Sequence, residues 1–111
     1  MGTRYLIFGQ AAPAITTETE LFTVGANEWA EFYIYYCEEG GAAATFRISI
    51  SAAGGATASK DYIRYDYACS AYGGDRIGPL FAQGGYEVNV YTSTADMNFT
   101  ATGKKYIVTG A

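Results

Sequence analysis

The chain has 111 residues, 50% of them hydrophobic, 16% charged and 16% aromatic; that suffices for one packed domain and is too apolar for a disordered chain. It contains no histidine, so Ser-His-Asp and Cys-His catalysis and His-ligated metals are excluded. A net charge of −4 argues against nucleic acid, which needs a basic stripe, and no apolar run reaches the roughly 18 residues of a membrane span.

Residues 4–8 (Arg-Tyr-Leu-Ile-Phe) carry one early charge and a short apolar stretch. The stretch is too brief for a secretory signal and reads as a first strand of a protein that folds in a cytoplasm. A second strand is expected over 20–24, ended by Gly25-Ala26-Asn27. Over 29–37, Phe32, Ile34 and Tyr36 take one face and Tyr33, Tyr35 and Cys37 the other. Glu39-Gly40-Gly41 then turns the chain. In 45–51, Phe46, Ile48 and Ile50 alternate with Thr45, Arg47, Ser49 and Ser51, the pattern of a half-buried antiparallel strand. The Ala/Gly-rich stretch 52–58 reads as a flexible connection between sheets.

Further strands are expected over 61–67 and 76–81, with a turn at Gly73-Gly74-Asp75 between them. After a turn at Gly84-Gly85, Val88 and Val90 alternate with Asn89 and Tyr91. Met97, Phe99 and Ala101 then alternate with Asp96, Asn98 and Thr100. Thr102-Gly103 reads as one more turn before a last strand over 105–109. No ten-residue window has a helical period. The expectation is all-β: an antiparallel β-sandwich, jelly-roll-like, of eight or nine short strands forming one domain over 1–111.

Sites for chemistry are sparse. Cys37 and Cys69 read as reduced, partly buried thiols, with a disulfide open if their strands are neighbours, and two thiols without histidine leave zinc under-coordinated. Adjacent Glu38 and Glu39 point apart in extended chain and read as a solvated turn rather than an acid/base pair. Asp61, Asp66, Asp75 and Asp96 lack the spacing of a calcium loop. Gly73-Gly74-Asp75-Arg76 lacks the Lys-Ser/Thr step of a phosphate loop. Asn98-Phe99-Thr100 is a glycosylation sequon placed mid-strand. No catalytic residue, cofactor or metal is expected.

The stretch 29–37 stands apart, because its second face is tyrosine-rich rather than polar. With few charges to cover the surface, Tyr33 and Tyr35 are expected to meet another molecule.

Several stretches resemble small β-sandwich structural proteins of tailed-bacteriophage virions. They are residues 9–17 (Gly-Gln-Ala-Ala-Pro-Ala-Ile-Thr-Thr), 21–24 (Leu-Phe-Thr-Val), 44–50 (Ala-Thr-Phe-Arg-Ile-Ser-Ile) and 60–66 (Lys-Asp-Tyr-Ile-Arg-Tyr-Asp). The most distinctive is 90–99 (Val-Tyr-Thr-Ser-Thr-Ala-Asp-Met-Asn-Phe). The chain departs from that pattern in the tyrosines of 29–36, a shortened stretch over 76–86, and Lys104-Lys105-Tyr106 near the end.

The resemblance implies a virion component without enzyme activity, assembled in the host bacterial cytoplasm. Its implied role is capsid decoration (cement) or a tail- or fibre-associated module. A bare, small, acidic sandwich without heptads or a docking domain favours cement. The expected partners are the major capsid protein and copies of itself, as a homotrimer, with no nucleic acid and no membrane. The expected contact residues are Tyr5, Tyr33, Tyr35, Arg47 and Tyr91. A host-surface carbohydrate-binding module is the other class considered; aromatics that lie mostly within strands argue against it.

Overall fold

The structure is a computed structural model that describes residues 5–107, with the side chain of Tyr5 outside that description. It contains eight strands: β1 (Tyr5–Ala11), β2 (Thr19–Thr23), β3 (Glu28–Glu38), β4 (Ala44–Ala52), β5 (Tyr62–Cys69), β6 (Gly74–Gln83), β7 (Tyr86–Thr92) and β8 (Met97–Ile107). Among the described residues the sole helical element is a 3-10 turn, Ser59–Asp61.

The strands form two four-stranded antiparallel sheets, ordered β1-β8-β3-β6 and β2-β7-β4-β5. Strand partners nest around the β4–β5 hairpin: β4 with β5, β3 with β6, β2 with β7 and β1 with β8. The β3–β8 and β4–β7 ladders complete the two sheets. This order is that of a jelly roll, the double Greek key.

The core follows from the alternation. Phe32 and Ile34 of β3, Phe46 and Ile48 of β4, Val88 and Val90 of β7, and Met97, Phe99 and Ala101 of β8 are all buried between the sheets. Phe22 packs edge-on to Phe32 at 5.0 Å and stacks on Phe8 at 5.0 Å. Phe46 joins Phe99 at 5.7 Å and Tyr36 at 4.5 Å. Burial of each such ring contributes about 1.5–3 kcal/mol.

Three local expectations are corrected. Thr102-Gly103 is not a turn, because β8 runs through it as far as Ile107; residues 108 and 109 of the expected last strand lie outside the described residues. Gly103 sits between Leu6 of β1 and Phe32 of β3, and a Cβ there would lie 2.0 Å from the Glu31 carbonyl oxygen. Glycine marks a close approach of backbones at this position. The stretch 52–58 does not cross between sheets. It joins β4 to β5, neighbours in one sheet, and leads into the 3-10 turn, which lies close to β4. Finally, Ser49 and Ser51 are buried although their face is the outer one. Ser49 lies between Asn89 and Tyr62 on the flanking strands, and Asn89 Nδ2 donates to Ser51 Oγ at 3.2 Å. Small side chains between long neighbours lose their access to water.

Candidate interaction surfaces

Strand β3 turns Trp29, Glu31, Tyr33 and Tyr35 to the outside of its sheet while Ala30, Phe32 and Ile34 enter the core. Pairing extends this outer surface across the sheet. Tyr33 faces Thr102 of β8, which faces Ile7 of β1; Tyr35 faces Arg76 of β6; Glu31 faces Phe81. Ile7 is 65% exposed, Phe81 59% and Tyr35 44%, whereas Tyr33 is half-buried.

Tyr33 is held down by its neighbours. The Arg76 guanidinium lies 4.9 Å from its ring centroid. Gly78, at φ 147°, gives the ring room: a Cβ there would come 2.8 Å from Tyr33 Cδ2. Hydrogen bonding to Tyr35, then the charge interaction with Tyr35 and Tyr33, holds the Arg76 pKa above its ordinary value. Tyr33, Tyr35, Arg76, Glu31, Thr102 and Lys104 border a shallow depression of about 220 Å³. The surface is an arginine among tyrosines, bordered by Glu31 and Lys104.

The other sheet carries a second cluster. Arg47 of β4 faces Tyr91 of β7, and its guanidinium sits 4.3 Å from the Tyr91 ring and 4.1 Å from the Tyr65 ring. Its Nε also donates to Asp66 Oδ1 at 2.7 Å. A β-bulge makes this double contact possible. Phe46 pairs with Tyr67 and Ile48 with Arg64, so Tyr65 and Asp66 together oppose the single residue Arg47. Asp66 adopts φ 49°, a left-handed conformation that aspartate tolerates better than most residues. Tyr62 meets Tyr65 edge-to-face at 4.9 Å.

The expected contact residues therefore divide. Tyr33 and Tyr35 lie together on the outer surface of the β1-β8-β3-β6 sheet. Arg47 and Tyr91 lie together on the outer surface of the other sheet. Tyr5 opposes Lys104 through the backbone, and its side chain is outside the description. The structure does not gather the five into one patch. It adds Arg76, Phe81 and Ile7 to the first surface and Tyr62, Tyr65 and Asp66 to the second. Arg76 was legible as a residue next to a turn but not as Tyr33's partner, since the β3–β6 register shifts between Phe32 and Ile34. The bulge hid Tyr65 in the same way.

Glu38 is corrected as well. It is buried, not solvated, and accepts backbone N–H groups from Gly40 at 2.7 Å, Gly41 at 2.9 Å and Tyr72 at 2.9 Å. These amides, Tyr72 foremost, hold its carboxyl below the usual range against the opposing effect of burial. The carboxylate fastens the β3–β4 turn to the β5–β6 loop. The partly buried thiols are corrected too: Cys37 is exposed and Cys69 buried, and the two are not bonded to each other. Among the described residues no three His, Cys, Asp or Glu side chains gather as metal ligands, and no helix is long and apolar enough to cross a membrane.

No protein-family model, curated protein or solved structure matches the chain.

Proposed function

We propose that the protein is a structural component of a tailed-bacteriophage virion, a capsid decoration (cement) protein that binds across neighbouring shell subunits. The observation that carries this reading is the Tyr33–Tyr35–Arg76 surface. Tyrosine, tryptophan and arginine are the residue types enriched at the hot spots of protein interfaces, and an aromatic ring brings large area with little rotamer entropy to lose. The class of partner is taken from the resemblance read in residues 9–17, 44–50 and 90–99, and the proposal rests on it.

The proposed action is mechanical rather than catalytic. A clamp that binds only the assembled, expanded shell lowers that state's free energy by mass action. Many copies, each with a modest interface, add through avidity. Partners are the major capsid protein and two further copies of the chain at a local three-fold position, in the virion assembled in the host cytoplasm.

The test is copy number in purified virions by quantitative mass spectrometry. Copies on the order of the number of shell subunits support decoration. A handful per particle would overturn it in favour of a tail or fibre adaptor.

A further inference from the structure

A cleft of about 770 Å³ opens at one end of the sandwich, where the chain enters β3 and passes from β6 to β7. That volume falls within the roughly 300–1,000 Å³ of small-molecule sites. Three aromatic residues line it, Trp29, Phe81 and Tyr86, together with Asn27, Glu28 and Gln83; all three aromatics belong to strands, but near strand ends, so their lying within strands does not keep them from one end of the sandwich as the sequence suggested. The lining is built in advance. Trp29 stacks on Tyr106 with centroids 4.1 Å apart and planes 12° apart, which fixes the indole. The β6–β7 turn is braced on the chain leading to β3: a Cβ at Gly84 would lie 2.4 Å from the Ala26 carbonyl oxygen. Val24 N donates to Tyr86 O at 2.9 Å and Gly85 N to Val24 O at 3.0 Å. Glu28 is oriented by the Gly25 N–H at 3.3 Å and by Lys105 Nζ at 3.3 Å.

The geometry points to a neutral saccharide as the ligand of this cleft. A pyranose ring has an apolar C–H face and a rim of hydroxyls. The C–H face suits the negative face of an aromatic ring. Each hydroxyl both donates and accepts, as do the exposed amides of Asn27 and Gln83, while the Glu28 oxygens are taken up by the Gly25 N–H and Lys105. A purely apolar ligand would strip water from these groups without replacing it. An anionic ligand would meet a carboxylate whose neighbouring cation, Lys105, is already engaged, on a chain of net charge −4. The inference goes beyond the assembly proposed above; it shares Trp29 and Phe81 with the edge of that surface but uses none of Tyr33, Tyr35 or Arg76, and Gln83→Ala tests the cleft apart from it.

Trp29 is the chain's only tryptophan, so its fluorescence reports on the cleft directly. The probes are maltotetraose, cellotetraose, mannotetraose and N-acetylchitotetraose, with an oligogalacturonate as the acidic control. The expected result is a saturable change with at least one neutral probe. Phe81→Ala and Gln83→Ala, both at exposed positions, should each weaken that response about tenfold without lowering the melting temperature. Silence with all four neutral probes, a response confined to the acidic control, or equal binding by both variants overturns the inference.

Discussion

The Glu38 carboxylate is bound by backbone amides from two loops, one of them supplying Tyr72, 34 positions along the chain from Glu38. Its pKa is lowered from an ordinary 4.5, so its contribution to stability is complete above about pH 4.5 and vanishes as pH falls through the lower native value. Asp61, lowered first by the Ala58 N–H and then by Lys60, acts in the same direction. Glu38→Gln should melt several degrees below wild type near neutral pH, and the gap should narrow on acidification below about pH 4.5. Thermal melts across that window check this; a gap independent of pH would show that the charge is irrelevant. Asp66 poses a different local balance. Asp66→Gly relieves the left-handed backbone but loses a partly exposed ion pair, so stability should stay within about 1 kcal/mol. Asp66→Val, β-branched at φ 49°, should lose about 2 kcal/mol or more in urea unfolding. Neither role was legible locally, since both depend on what a second strand or loop brings alongside.

At the scale of elements, alternation carried most of the reading. Phe32, Ile34, Phe46, Ile48, Val88, Val90, Met97 and Phe99 all fell on the inner surfaces expected of them. Glycine was the ambiguous letter. Gly25, Gly40 and Gly85 lie in connections, but Gly103 lies mid-strand where β8 presses on β3. A period-2 pattern records which way a side chain points, not how closely the next strand approaches. Gly103→Ala should therefore cost about 3 kcal/mol, the upper end of overpacking penalties, with the urea midpoint falling at an unchanged m-value. A loss under 1 kcal/mol would mean that β3 yields easily at Glu31. Bulges were the other blind spot. One extra residue at Tyr65-Asp66 shifts which side chains share a surface, and no short-range signal marks it.

For the whole molecule, the nested pairing places the two sheets back to back and leaves two outward surfaces, each with an arginine among tyrosines. The strands were legible one by one and the jelly-roll-like sandwich as a class, while the individual pairings were not, because β1 and β8 meet across nearly the full chain. The division of the expected contact residues between opposite surfaces is a consequence of that topology. The two clusters differ in kind. Arg47 is already flanked by two rings and paired with Asp66, whereas Tyr35 beside Arg76 remains substantially exposed. The first surface is thus the stronger candidate for contact with another chain, and interface tyrosines at hot spots contribute about 2 kcal/mol or more each. The measurement that bears most directly on this is sedimentation velocity of wild type and the double variant Tyr33→Ala, Tyr35→Ala at matched concentration, with circular dichroism to confirm folding. Wild type is expected to sediment as a trimer and the variant as a folded monomer. A variant that sediments as the same oligomer as wild type would contradict it and make β3 ordinary sheet surface.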